Sequence, residues 1–87
     1  MSLPVDRPLT ERRIQILRHL ANGLTTDEIA AEIHIGRNSV LTHLQYTYRQ
    51  LGARNGAHAV AIAMVRGFVE PHEVPLPAPR APLRRAK

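Results

Sequence analysis

The spacing of apolar residues divides the chain into short helical segments. The first is predicted from a cap at Thr10 to about Asn22, with Gly23 after it as the stop. Leu9 and Ile14 are placed for a hydrophobic staple across this cap. Apolar residues recur three and four positions apart along the segment: Ile14, Leu17 and Ala21, with Ile16 and Leu20 beside them. One face of this helix is therefore expected to be buried.

Two further helices follow, separated by a short interruption. Thr25 and Glu28 have the spacing of a capping box, which predicts the start of a second helix. Residues 34–36 then break the apolar pattern, and Gly36 suits both a tight turn and the N-cap of the next helix. A third helix is predicted over about residues 37–51. This order of elements is a helix-turn-helix in outline.

The third helix is predicted to have two different faces. Residues that fall on one side are expected to face the core: Val40, Leu44, Thr47 and Leu51. Residues that project from the other side are mostly polar: Asn38, Thr42, Gln45, Tyr46 and Arg49. The second face is left for solvent or for a ligand.

A fourth helix is predicted from a cap at Asn55 to about Arg66, with Phe68 folding back onto the core. It is apolar almost all round. The stripe expected to face the core consists of Ala57, Val60, Ala61 and Met64. Ile62 and Val65 fall on the opposite side, which three short helices cannot also cover. The residues predicted to form a homodimer interface there are His58, Ile62, Val65 and Arg66.

The ends of the chain differ in composition from these helices. Residues 1–8 carry two prolines and are expected to form a flexible arm. Residues 71–87 hold five prolines and a surplus of arginine, which predicts a disordered basic tail. The fold prediction is thus an all-α, four-helix domain over residues 9–70, and the length leaves no room for a second, sensory domain.

The charge points to a polyanionic partner. The formal net charge is +5 and the pI is about 11.1, a balance that favours nucleic acid or an anionic membrane surface. Lysine occurs once, at Lys87, so eleven of the twelve cationic residues are arginines. Arginine suits bidentate contacts with phosphate or guanine, although a GC-rich genome would give the same bias.

Several classes of function are disfavoured. The absence of cysteine excludes disulfides and thiol catalysis and favours a reducing cytoplasm. No apolar run is long enough for a membrane span, and residues 1–8 lack the apolar region of a signal peptide. The histidines never recur at metal-ligand spacing, and no serine or carboxylate pair suggests an active site. We expect no enzymatic activity, no cofactor and no metal.

A series of residues in register follows the pattern of a known family: Leu9-Thr10, Gly23-Leu24-Thr25, Glu28-Ile29-Ala30, Ile35, Val40, Thr42-His43, Leu44 and Leu51-Gly52. In these residues the chain resembles the LuxR (GerE) family, over Leu9 to about Phe68. The resemblance implies a DNA-binding domain whose third helix enters the major groove and whose fourth helix often mediates dimerisation. Three residues depart from the family pattern: Leu41 replaces a lysine, Gln50 a commonly basic residue, and Arg13 a glutamate.

The exposed face of the third helix supplies the candidate base contacts, which are Asn38, Leu41, Thr42 and Gln45. Amide side chains form bidentate hydrogen bonds with adenine in the major groove. The alternative is that these residues are polar only because the helix faces solvent. Leu41 lies at the border of this face, where it would either contact a thymine methyl group or pack against the second helix.

Other residues near this face are predicted to contact phosphates, which fix position without reading sequence. They are Thr25, Thr26, Arg37, Ser39, His43 and Arg49. The two threonines lie at the start of the second helix, where free amides and the helix dipole favour an anion.

The predicted function is that of a transcriptional regulator that binds an inverted repeat of duplex DNA as a homodimer. The alternative is a protein-interaction adaptor that binds RNA polymerase or another regulator through the fourth helix and the tail. The basic tail would contact neighbouring phosphates, bind an acidic partner or keep the chain soluble.

Overall fold

The computed structural model describes residues 9–77. The helices within this range are α1 (Glu11–Ala21), α2 (Thr26–Ile33), α3 (Arg37–Leu51), α4 (Gly56–Val65) and a short 3-10 helix (Pro71–Glu73). The predicted all-α fold is confirmed for these residues. The predicted arm over residues 1–8 lies outside the described residues, as do residues 78–87 of the predicted tail.

The helix starts follow the capping residues in the sequence. The hydroxyl of Thr10 accepts a hydrogen bond from the Arg13 amide at 3.2 Å. At α2 the capping box is complete: the Glu28 amide donates to the Thr25 hydroxyl at 3.2 Å, and the Thr25 amide donates to the Glu28 carboxylate at 2.8 Å. Asn55 caps α4 through its side-chain oxygen. All three predicted caps are confirmed.

The turn between α2 and α3 depends on a residue other than the glycine. His34 ends α2 in the left-handed conformation, with φ 59° and ψ 42°. This conformation allows the Ile35 amide to donate to the Ala30 carbonyl at 3.1 Å, which closes the end of the helix. Gly36 has φ −71° and ψ 155°, so it is the N-cap of α3 as predicted, while His34 makes the tight turn.

Two clusters of buried side chains hold the helices together. The first joins α1, the end of α3, α4 and the segment after it, and contains Leu9, Leu17, Leu51, Ala59, Ala63 and Val69. The second joins α1, α2 and α3, and contains Ile16, Ile29, Ala30, Ile33, Val40 and Leu44. Tyr48 packs against both clusters. The domain therefore has a continuous core in which α1 lies against the other three helices.

The buried face of α4 agrees with the predicted stripe at Met64, which packs against the first cluster, but its centre lies elsewhere. Ala59 and Ala63 are fully buried, and Ile62 packs half-buried against the first cluster, whereas Ala57 and Ala61 are exposed. A helix that is apolar all round has no periodicity from which one face can be chosen. The side with the two small alanines is buried because it lets α4 lie close to its neighbours.

Packing continues beyond the predicted end of the domain at residue 70. Val69 is fully buried, and Val74 packs against the first cluster after the 3-10 helix. Between them, the Glu73 carboxylate forms an ion pair with the Arg18 guanidinium on α1. The first residues of the predicted tail are thus attached to the domain. None of the helices in residues 9–77 is long and apolar enough to cross a membrane.

Candidate nucleic-acid interface

Helix α3 is fixed to the core along one side. The residues predicted for this side are buried, with exposed fractions of 0% for Val40, 4% for Leu44, 1% for Thr47 and 9% for Leu51. Thr47 satisfies its hydroxyl by donating to the His43 carbonyl at 2.7 Å. Gln50 is also buried, at a position where the family commonly has a basic residue. Position 50 therefore belongs to the core side of α3 because it lies one turn after Thr47.

The opposite side of α3 is open. Asn38, Thr42 and Gln45 are exposed, and Leu41 lies half-buried at the border between this side and the core. Two shallow depressions follow the helix, the first lined by Asn38, Ser39, Thr42 and His43 and the second by Thr42, Gln45, Tyr46 and Arg49. The structure thus brings three of the four candidate base-contact residues onto one open surface, with Leu41 at its border, and two of the candidate phosphate residues to its first depression.

The start of α2 is less open to an anion than the sequence indicates. The Thr25 amide donates to the Glu28 carboxylate, and this hydrogen bond holds the pKa of Glu28 below its ordinary value. Arg37 forms an ion pair with Asp27 at 2.9 Å, in which both side chains are well exposed. An exposed pair of this kind contributes only about 0–1 kcal/mol, so a phosphate can replace the carboxylate at Arg37.

His43 lies where positive charge accumulates. Burial lowers the pKa of its imidazole, and the nearby charges of Arg13 and Arg12 lower that pKa further. Both effects favour the neutral form of the imidazole.

Two arginines beside this surface had no predicted role. The Arg13 guanidinium carbon lies 5.1 Å from the centre of the Tyr46 ring, so α1 contributes a cation to the edge of the α3 surface. Arg54 lines a groove with Arg49, between the end of α3 and the start of α4. The adjacent arginines in the first turn of α1 were visible in the sequence, but helical periodicity does not indicate which side chains meet across helices.

The residues predicted for a dimer interface are not equally available. Val65 is 88% exposed, whereas Ile62 packs partly against the core. The imidazole Nδ1 of His58 accepts a hydrogen bond from the Arg54 amide at 3.1 Å, and Arg66 lies over the Phe68 ring at 5.5 Å. Val65 is therefore the most accessible apolar group of the predicted set.

The family of the chain follows from comparison with known proteins. The family model described as bacterial regulatory proteins, luxR family, matches residues 7–63. The chain belongs to the luxR family. Its matched segment contains the whole helix-turn-helix, in agreement with the transcriptional regulators among its relatives.

Relatives within the luxR family share this segment. The probable transcriptional regulatory protein SgaR of Hyphomicrobium methylovorum is 48% identical over 54 residues, which are 62% of this chain and 26% of SgaR. The quorum sensing-dependent regulator VjbR of Brucella ovis is 41% identical over 66 residues, which are 76% of this chain and 26% of VjbR. This chain spans about a quarter of the length of either relative.

A solved structure agrees with the luxR-type fold. The crystal structure of ChrA, a response regulator of a heme-sensing two-component system, matches with a TM-score of 0.72 at 33% identity. The match covers 77% of this chain and 33% of that chain. The fold and the family together make residues 9–77 a helix-turn-helix domain of the DNA-binding, transcription-regulating class.

Proposed function

We propose that the domain is a sequence-specific reader of duplex DNA that regulates transcription, with α3 as its recognition helix. The observation that carries this proposal is the division of α3 into a side locked in the core and a side on which Asn38, Thr42 and Gln45 are exposed. A helix held in this way presents a fixed set of hydrogen-bonding groups to the major groove.

Each exposed residue has a specific chemistry toward base edges. The amides of Asn38 and Gln45 can pair with N6 and N7 of adenine, and the hydroxyl of Thr42 can donate or accept. Leu41, at the border of the surface, offers an apolar contact to a thymine methyl group. Phosphate contacts would come from the start of α2 and from residues along α3, from its first turn to its last: Thr25, Thr26, Arg37, Ser39, His43 and Arg49.

The proposed assembly on DNA is a homodimer formed through α4. Val65 supports it because an exposed valine on an apolar helix favours burial against a second copy. Two-fold symmetry would place the recognition helices about 34–36 Å apart, which corresponds to an inverted repeat with half-sites one DNA turn apart. No catalytic or cofactor chemistry is part of this proposal, and the cytoplasm is its proposed location.

Selection from genomic duplex fragments tests this function. The selected sequence is then compared with random duplex by equilibrium binding at several salt concentrations. Changing Asn38, Thr42 and Gln45 to alanine should reduce the affinity ratio between selected and random duplex toward one, because base contacts carry the discrimination. Gln15→Ala is the matched control, since it shortens a glutamine on α1 and should leave the ratio unchanged. Equal binding of all fragments by the unaltered protein would refute sequence reading.

An adaptor function is the second candidate. Val65 and Leu76 are 88% and 90% exposed, so two apolar side chains are available to a partner such as RNA polymerase or another regulator. In an adaptor, alanine at Asn38, Thr42 and Gln45 should leave regulation of a reporter gene intact, whereas Val65→Asp should abolish it. In a DNA reader, by contrast, alanine at Asn38, Thr42 and Gln45 should abolish regulation of the reporter gene.

A further inference from the structure

Positive charge is concentrated where the first turn of α1 meets the open surface of α3. The guanidinium of Arg13 lies over the Tyr46 ring, and the charges of Arg12 and Arg13 both act on His43. Tyr46 in turn lines the same depression as Thr42, Gln45 and Arg49. The edge of the α3 surface therefore contains cations that come from a different helix.

The arginines of α1 differ in how their charge is compensated. Arg18 forms an ion pair with Glu73, on another side of the helix. Arg12 hydrogen-bonds only to the neutral amide of Gln15 at 3.3 Å, and Arg13 has no carboxylate partner among residues 9–77. Among residues 9–77, Arg12 and Arg13 thus form no ion pair, although Glu11 lines the same depression as Arg12.

The contact with Tyr46 also holds the Arg13 side chain in a position from which it can bind an anion. A guanidinium held over an aromatic ring is attracted by the face of the ring and keeps N–H donors with which arginine binds the oxygens of a phosphate. The Nε atom is buried without a hydrogen bond, so packing against the domain already restricts the side chain. Less conformational entropy is then lost when an anion binds.

We propose that Arg13 binds a phosphate of the DNA backbone beside the groove that α3 enters, with Arg12 adding charge and Tyr46 acting as a positioning residue. This inference rests on the proposed DNA-binding function and adds to it a phosphate contact from α1. The contact anchors the domain at the edge of the recognition surface. It raises affinity for selected and random duplex alike, because a phosphate carries no sequence information.

The test is the salt dependence of binding to the selected duplex and to random duplex, for Arg13→Gln and Arg18→Gln. Both variants remove one positive charge from α1, but only Arg13 borders the α3 surface. Each phosphate contact adds about 0.9 to the slope of log K against log salt concentration, which is about 3.5-fold in affinity between 0.05 and 0.2 M salt. Arg13→Gln should lose this increment per subunit on both duplexes, and Arg18→Gln should retain the wild-type slope.

The role of Tyr46 has its own readout. Tyr46→Phe keeps the aromatic ring beneath Arg13 and should retain the slope, whereas Tyr46→Leu should weaken binding. Once Arg13 is glutamine, Tyr46→Leu should cost no further affinity, because it acts through Arg13. The NMR titration of His43 supplies a second signal: a phosphate bound nearby should raise the pKa of His43 in the wild-type complex more than in Arg13→Gln.

The outcomes separate this inference from the proposed function. If Arg13→Gln keeps both the wild-type slope and the wild-type His43 titration while the protein still discriminates between duplexes, the α1 contact is wrong and the function stands. If the unaltered protein discriminates among no fragments, the proposed function fails, and the α1 inference fails with it. Circular dichroism melts of each variant establish that the domain is folded.

Discussion

Gly56, the first residue of α4, lies close to side chains of α1 and α3. A Cβ atom at this position would lie 3.0 Å from the Tyr48 hydroxyl and 3.2 Å from Cδ2 of Leu20. Tyr48 packs against both core clusters, and burial raises the pKa of its phenol. A methyl group at this position would therefore press against a side chain that is held on several sides.

Gly56→Ala should destabilise the domain by about 1 kcal/mol, because overpacking costs about 1–3 kcal/mol and alanine returns part of this through its helix propensity. Urea unfolding measures the change. The cost should be smaller in a Tyr48→Phe background, where the hydroxyl nearest to the new methyl group is absent. An equal cost in both backgrounds would contradict the steric explanation.

His43 should make stability depend on pH. Its pKa in the folded domain is lowered from the ordinary 6.5, so the unfolded chain binds a proton at a higher pH than the folded chain does. The free energy of unfolding gains its full contribution from this residue above pH 6.5 and loses it as the pH falls from there through the folded pKa.

Urea unfolding of the wild type and of His43→Gln checks this prediction. The measurements run from about pH 7.5 to about pH 5, the range in which histidine ordinarily titrates. The wild type should lose more stability than the variant over that interval. Parallel curves would show that neither burial nor the charges of Arg13 and Arg12 lower the pKa of His43 in the folded domain.

At the scale of elements, the helix-turn-helix depends on the box that caps α2. Thr25 and Glu28 each bind the other's backbone amide, which fixes the first turn of the helix that supports α3. These hydrogen bonds are local, so their contribution to the free energy of unfolding can be measured separately from that of core packing.

Thr25→Ala should lower the free energy of unfolding by about 1 kcal/mol, as the loss of an N-cap hydroxyl typically does. Thr25→Ser keeps the hydroxyl and should remain within a few tenths of a kcal/mol of the wild type. Thermal and urea unfolding distinguish the two variants. Similar losses in both would mean that the methyl group of Thr25, and not its hydroxyl, stabilises the turn.

At the scale of the whole molecule, the segment after α4 packs against residues at the start of the described region. Glu73 pairs with Arg18 on α1, and Val74 packs on the cluster that contains Leu9. A segment rich in proline and charge is thereby attached to the core through one ion pair and one apolar side chain.

Truncation after Glu70 should destabilise the domain by about 1–2 kcal/mol, from partial exposure of apolar surface and the loss of a partly exposed ion pair. Truncation after Pro77 retains Glu73 and Val74 and should leave the stability unchanged within about 0.5 kcal/mol. Equal stability of the two truncated chains would contradict a structural role for residues 71–77.

Val65→Asp should shift the protein from dimer to monomer in sedimentation velocity, since a charge would be buried in the proposed α4 interface. Ala31→Asp places the same charge at an exposed position on α2 and should leave the oligomeric state unchanged. The melting temperature of the isolated domain should change little, because Val65 is exposed. An unaltered protein that sediments as a monomer at all concentrations and on DNA would exclude the homodimer.

Local physical chemistry made the helices and the open face of α3 predictable. Thr10, Thr25 and Asn55 act as caps through contacts three residues along the chain, and periodicity placed Val40 and Leu44 in the core. These features need no knowledge of distant residues, and for that reason the fold class, the helix starts and the exposed candidate base contacts followed from the sequence. The assignment of those residues to bases stays a prediction.

Only the tertiary structure decided which residues meet across helices. The uniformly apolar α4 has no periodic signal, so the burial of Ala59 and Ala63 depended on how closely it could approach α1. The cation–π contact of Arg13 with Tyr46 and the ion pair of Arg18 with Glu73 likewise join positions that sequence spacing does not relate. By itself the sequence determined the helices and the polar side of α3; packing decided the buried side of α4 and the charges beside the candidate interface, because these depend on distances between elements.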